Sequence, residues 1–198
     1  MQDIRIRNRS GAPEVTAYAD LMAFQRETEA LAQIAGRLGW DQETMMPDGA
    51  APQRAQEHAA MANVLHARRV DPRVGDWLAQ AEGFDDVARA NLRHIRRSYE
   101  RTAKVPAKLA AEIARTTSLA HRIWASARAH EDVASYLPVL ANVVALRQEE
   151  ADALAQGGVR YDALLNDYEP DATGRDIAAM FAALRPRLVA LRAAVLDQ

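Results

Sequence analysis

The chain of 198 residues carries a formal net charge of −2 and contains no cysteine. A chain without cysteine has no disulfide framework and no thiolate chemistry, and a charge near zero argues against nucleic acid or an anionic membrane as an obligatory partner. No apolar run approaches the roughly 20 residues that cross a bilayer, and Met1–Val15 lacks the apolar segment of a signal peptide. We therefore expect a cytoplasmic location.

Helical periodicity dominates the sequence, and no convincing alternating strand is found. The fold class is predicted as all-α, with residues 1–16 as a disordered lead-in and residues 17–198 as a helical domain. Gly39 follows the first apolar stripe, so Trp40–Pro47 is predicted to be a break between helices. The predicted helices span about residues 18–38, 52–69, 72–82, 86–102, 106–127, 133–155 and 173–198.

Several helix ends carry recognisable signals. Asp71 followed by Pro72 predicts an N-cap with proline in the first turn. Pro138 is tolerable inside a helix if Ser135 is the cap, because a first-turn proline loses no hydrogen bond. Pro186 is expected to kink the last helix.

The last predicted helix carries an apolar face without any capping signal after it. This face needs a partner, either a helix within this chain or sequence beyond Gln198. Its residues are Phe181, Leu184, Leu188, Leu191 and Val195.

No complete metal motif is present in the sequence. His130–Ala134 reads HEDVA, with alanine where the second histidine of a His-Glu-x-x-His zinc site must stand, so we interpret it as a polar helix end. None of the histidines has a glutamate three residues before it, which excludes a ferritin-like metal site. Asp167–Asp171 resembles the start of a calcium loop, but Ala172 and Ala178 replace the required glycine and glutamate.

Two further patterns have a functional and a structural interpretation. The basic run from Arg89 to Lys108 could bind an anion, or it could be a solvated helix face with acidic neighbours. Trp40, Trp77 and Trp124 are predicted to anchor the core rather than to line a cofactor site.

Two longer segments are distinctive. Leu38–Pro47 reads LGWDQETMMP and Tyr161–Pro170 reads YDALLNDYEP. Both resemble signatures of the carboxypeptidase Taq family of metal-dependent carboxypeptidases, and weaker similarities at Arg54, Asp71–Pro72 and Trp124 follow in the same order. The resemblance covers about Tyr18 to Val195.

The resemblance implies a neurolysin-like helical fold with a deep groove, in which the N-terminal helices form one wall and a lid. Such enzymes remove C-terminal residues from peptides and commonly form homodimers. They bind zinc or cobalt through His-Glu-x-x-His and a downstream glutamate, and a metal-bound water attacks the last peptide bond.

Family members are more than twice this length, and their metal and catalytic motifs find no counterpart in these 198 residues. We therefore assign no catalytic residue, no metal ligand and no cofactor to this chain itself. We expect it to be inactive alone. Trp40, Asp41 and Glu43 are the candidate groove residues. In the structural alternative, Asp41 caps the following turn, Trp40 packs in the core and Pro47 ends the segment.

Two other functions remain open at this point. The chain could be a stand-alone binding or dimerisation module derived from the family. It could also be an anion-binding helical protein that uses the Arg89–Lys108 face.

Overall fold

The computed structural model describes residues 13–196, with side chains from Thr16 onwards. Most of the predicted lead-in, residues 1–12, lies outside this range. None of the described helices is long and apolar enough to cross a bilayer. No strand occurs among these residues, so the all-α prediction is confirmed. The helices are α1 Pro13–Thr44, a 3₁₀ turn Asp48–Ala50, α2 Ala51–Arg69, α3 Pro72–Gln80, α4 Asp86–Lys104, α5 Ala107–Ala129, α6 Val133–Ala155, α7 Arg160–Leu165 and α8 Gly174–Leu196.

The chain forms two compact units, of which the first ends at Leu146 and the second begins at Arg147. In the first unit, α1, α3 and α4 enclose a core around Leu21, Val74 and Leu78. Trp77 packs against this core with its ring 5.6 Å from that of Phe24. The prediction of a core role is therefore confirmed for Trp77.

Helices α2 and α5 pack along each other in opposite directions. His66, near the end of α2, donates from Nε2 to the carbonyl oxygen of Val105 just before α5, at 2.6 Å. Most of the buried residues in these two helices are small, which lets the backbones approach closely. They are Ala51, Ala55 and Leu65 in α2, and Leu109, Ile113, Thr116, Ser118, Ala120 and Ala127 in α5.

Arg68 near the end of α2 holds the middle of α1. Its Nε donates to the Thr28 hydroxyl at 2.9 Å, and its Nη2 donates to the Phe24 carbonyl at 3.0 Å and to Glu27 at 3.2 Å. The guanidinium carbon also lies 4.0 Å from the centroid of the Phe24 ring. One side chain therefore fixes the register between two antiparallel helices.

The predicted break at Trp40–Pro47 is wrong for its first half, because α1 continues through Thr44. The Thr44 hydroxyl donates to the Trp40 carbonyl at 2.7 Å, and the amides of Met45 and Met46 both donate to the Asp41 carbonyl. A glycine such as Gly39 costs a helix only about 1 kcal/mol, which tertiary contacts of the following residues can offset.

Pro138 also differs from the expectation. The cap of α6 is Asp132, whose Oδ1 accepts from the Ser135 amide at 3.1 Å, so the helix begins at Val133 rather than after Ser135. Asp132 lies earlier in the chain and is itself a strong capping residue. Pro138 therefore lies beyond the first turn, where it removes one helical hydrogen bond.

The second unit begins with the end of α6. Gln156 and Gly157 have φ angles of 49° and 94° and terminate the helix at the predicted bound. Arg160 at the start of α7 then makes a two-pronged ion pair with Asp152, with N–O distances of 2.5 and 2.6 Å. The ion pair therefore links the end of α6 to the start of α7 across this turn.

Helices α7 and α8 are joined by a second set of polar contacts. Asp162 Oδ1 accepts from the Gly174 amide at 2.8 Å. Thr173 caps α8 by accepting from the Asp176 amide at 3.2 Å, while its hydroxyl donates to the Asp176 carboxylate at 2.6 Å. Pro186 lies inside α8.

Removal of the α3 cap should weaken the first unit. Asp71 accepts from the Arg73 amide and guanidinium, and these bonds lower its pKa from 3.8 to about 2. Asp71→Ala should lower the free energy of unfolding by about 1 kcal/mol, measured by urea denaturation at pH 7. Because the pKa is lower in the folded state, the contribution is complete above about pH 4 and is lost as the pH falls towards 2.

Asp71→Asn is the control, because an amide oxygen can still cap the helix but does not titrate in this range. A wild-type protein and an Asp71→Asn variant with the same pH dependence between pH 5 and 2 would contradict this account.

Two helical glycines should respond in opposite directions to alanine. A Cβ at Gly36 would meet nothing within 4 Å, whereas a Cβ at Gly75 would lie 2.9 Å from the Tyr99 hydroxyl oxygen. Gly36→Ala should raise the free energy of unfolding by about 0.5–1 kcal/mol. Gly75→Ala should lower it by about 1 kcal/mol, because Tyr99 packs against the core and must move.

Tyr99→Phe removes the closest atom, so Gly75→Ala should cost less in that background. A double-mutant cycle in urea measures this coupling, and strictly additive effects would count against the assigned clash.

Candidate functional site

The candidate residues Trp40, Asp41 and Glu43 lie in the last turns of α1, beside α2 and α5. Their positions are set by side chains that come from both neighbouring helices. We describe these contacts first and then the side chains that they leave exposed.

Arg54 of α2 connects three groups. Its Nη1 donates to the Leu38 carbonyl and its Nη2 to Asp41 Oδ2, both at 2.5 Å, while Nε donates to Glu57 at 2.8 Å. The Arg54 side chain is only 12% exposed, and its hydrogen bond to Asp41 raises the pKa of its guanidinium above the ordinary value. Asp41 therefore pairs with Arg54 and does not cap the following turn, which is a correction.

The two residues after Asp41 bind α5 instead. The Ser118 hydroxyl donates to Gln42 Oε1 at 2.5 Å, and His121 Nε2 lies 2.6 Å from Glu43 Oε2. Three consecutive side chains of α1 thus hold two different helices. This arrangement fixes the end of α1 against the α2–α5 pair.

Aromatic and methionine side chains remain exposed around this junction. Trp40 is 62% exposed, Met45 70% and Trp124 46%, so the prediction of a core role is wrong for Trp40 and Trp124. The Trp124 ring lies 5.9 Å from that of His121. Trp40 precedes Glu43 by one helical turn, so each of the two tryptophans lies beside one member of the Glu43–His121 pair.

Glu43 and His121 supply two potential metal ligands, and nowhere in residues 13–196 do three or more such groups converge. The described residues therefore do not fit the divalent metal that the family resemblance implies, and we route no catalytic step through them.

The other sequence motifs have local structural roles. His130 is the C-cap of α5, with Nδ1 donating to the Ser126 carbonyl at 2.8 Å, so the interpretation of HEDVA as a polar helix end is confirmed. In the basic run, Arg89 pairs with Asp86, and Arg96 donates to the Leu78 carbonyl. Part of that face is therefore used for contacts within the chain.

Sequence reasoning missed Arg68, Ser118 and His121 as structural partners of α1. The sequence does contain a signal for the pairing of Arg68, because it repeats the spacing of Arg54. The two arginines are 14 residues apart on α2, and their partners Leu38 and Phe24 are 14 residues apart on α1. Such spacing returns to nearly the same helix face. No comparable pattern marks Ser118 or His121.

Comparison with known proteins identifies the family of this chain. The sequence profile of the carboxypeptidase Taq (M32) metallopeptidases matches residues 20–198. Thermostable carboxypeptidase 1 of Thermus thermophilus is 40% identical over 190 residues, which cover 88% of this chain and 37% of the relative. Thermostable carboxypeptidase 1 of Pyrococcus furiosus is 28% identical and covers 90% and 36%, respectively. The chain thus spans little more than a third of these relatives.

Solved structures agree with the sequence matches. A Pyrococcus furiosus carboxypeptidase superposes with a TM-score of 0.73 at 27% identity, covering 91% of this chain and 37% of that one. An M32 carboxypeptidase from Deinococcus radiodurans gives a TM-score of 0.69 at 28% identity, with 92% and 37% covered. The fold, the two signature segments and these matches lead to one assignment: the chain belongs to the carboxypeptidase Taq (M32) metallopeptidase family.

Proposed function

We propose that this chain is the N-terminal helical part of a metal-dependent carboxypeptidase that releases C-terminal amino acids from peptides. The observation that supports this most directly is the family match over residues 20–198, combined with coverage of only 37% of the Thermus thermophilus relative. In this proposal, residues 17–198 form one wall and the lid of the peptide-binding groove. The metal, zinc or cobalt, is held by the remainder of the enzyme.

The junction at the end of α1 gives the three candidate residues different roles. Trp40 is exposed and can contact a peptide, whereas Asp41 and Glu43 are engaged with Arg54 and His121. We therefore assign Trp40 to substrate contact and the two carboxylates to positioning. Peptide backbones and side chains bind well to exposed aromatic rings, because a ring offers a large apolar area with little entropy loss.

Homodimerisation and a cytoplasmic location belong to the same proposal. The family resemblance supports the first, and the lack of cysteine is compatible with the second. The two alternatives are a stand-alone binding module and an anion-binding protein. Unlike the proposal, neither predicts peptidase activity when this chain is joined to the rest of an M32 enzyme.

A chimera tests the proposal. Residues 20–198 replace the matched segment of the Thermus thermophilus relative, and release of C-terminal amino acids from a peptide is measured with zinc or cobalt present. We expect activity from the chimera and none from the 198-residue chain alone. A folded chimera without activity, or a chain that alone binds stoichiometric metal and cleaves peptides, would contradict the proposal.

Substitutions at the junction separate contact from positioning. In the chimera, Trp40→Ala should raise KM about tenfold, equivalent to about 1.4 kcal/mol of lost contact, with stability changed by less than about 0.5 kcal/mol because the ring is exposed. Asp41→Ala should instead lower the free energy of unfolding by about 2 kcal/mol, because the largely buried Arg54 loses one of its two carboxylate partners.

Val87→Ala is the control for a general surface effect, since Val87 is 66% exposed on α4. It should change neither KM nor stability. The division of roles would be refuted by a Trp40→Ala variant with unchanged KM.

A further inference from the structure

Helix α8 carries an apolar stripe with the spacing of a coiled coil. Successive members are separated by four, three, four, three and four residues, which is the a/d pattern of the heptad repeat. From the second member onwards they are between 42% and 65% exposed, and the first is half-buried. We call this stripe the α8 seam; it consists of Ile177, Phe181, Leu184, Leu188, Leu191 and Val195.

The residues beside the seam are basic. Arg185, Arg187 and Arg192 occupy the e and g positions of the heptads, all three are exposed, and none pairs with a carboxylate among residues 13–196. Pro186 lies on the opposite side of the helix, so any kink leaves the seam continuous. The seam therefore has the geometry of a helix-packing surface with an unsatisfied positive border.

This charge pattern distinguishes between possible occupants. In a second copy of the seam, whether parallel or antiparallel, the e and g arginines would face arginines, which disfavours pairing. A membrane-surface helix typically carries lysine or arginine across a broad polar face. The side of α8 away from the seam is instead rich in alanine, including Ala179, Ala183, Ala190 and Ala193. An amphipathic helix with carboxylates beside its apolar stripe satisfies both the seam and its border.

We propose that the α8 seam docks an amphipathic helix with acidic flanks, supplied by the part of an M32 polypeptide outside the segment matched here. This inference rests on the proposed function, since only 37% of the Thermus thermophilus relative is covered by this chain. The docked helix buries the apolar stripe, and its carboxylates pair with Arg185, Arg187 and Arg192. Charge then sets which helix of the enzyme lies against α8.

Synthetic peptides test the chemistry of the docking helix. Two helical probes carry leucine at the a and d positions and differ only at e and g, where one has glutamate and the other lysine. Fluorescence anisotropy with the 198-residue chain should show the glutamate probe binding about tenfold more tightly. The triple variant Arg185→Glu, Arg187→Glu and Arg192→Glu should reverse this preference, and it keeps residues with good helix propensity.

Leu188→Asp should abolish binding of both probes, with circular dichroism as the check that α8 stays helical. Equal affinity for the two probes would overturn the proposal. So would concentration-dependent self-association that Leu188→Asp removes, since the occupant would then be a second copy. Binding to vesicles of phosphatidylserine and phosphatidylcholine that is lost in the triple variant would assign the seam to a membrane.

The source of the helix is tested in the chimera described above. Amide exchange measured by mass spectrometry should be slower across α8 in the chimera than in the 198-residue chain, because the seam becomes covered. Equal exchange would overturn the assigned source. An inactive chimera with slowed exchange would refute the proposed function and leave the docking intact. An active chimera with unchanged exchange would support the proposed function and refute the docking.

Discussion

Two arginines of α2 hold α1 in place by the same geometry. Arg68 donates to the Phe24 carbonyl and to Glu27, and Arg54 donates to the Leu38 carbonyl and to Asp41. Each bond set joins a carbonyl to a carboxylate three residues later, so the two helices can pair in only one register. A slip of a single residue would leave two half-buried guanidinium groups without their acceptors, which is costly.

The candidate site depends on this register. Arg54 fixes the last turns of α1, and only then can Gln42 and Glu43 reach Ser118 and His121 on α5. The most distinctive segment of the sequence is therefore mainly a structural junction, and the exposure of its one aromatic ring, Trp40, is a consequence of how the polar neighbours are engaged. Exposed and engaged side chains thus lie side by side within one turn of helix.

The sequence predicted the elements well where a signal is local. Asp71 with Pro72 acts through its own backbone neighbours and lies where the pattern indicated. The start of α4, capped by Asp85, and the end of α6, followed by Gly157, also match the predicted helix bounds. The end of α1 could not be predicted in this way, because Gly39 is a local breaker that distant contacts through Arg54 override.

The exposure of Trp40 and Trp124 escaped prediction for a related reason. In alanine-rich helices the apolar side is too broad to reveal which face is covered, and large side chains are assigned to the core by default. The candidate residues were found from the family signature, whereas their division into exposed and engaged groups required the distances between helices.

The alanine-lined contact between α2 and α5 limits how this fold can vary. Ala51, Ala55, Ala120 and Ala127 are all at most 7% exposed, so a larger side chain at any of them would push the two helices apart. Because α2 also carries both arginines, such a displacement would be transmitted to α1 and from there to Trp40. Substitution at these buried alanines would thus displace the end of α1 as well, and the tolerance of these helices to mutation is lowest where their side chains are smallest.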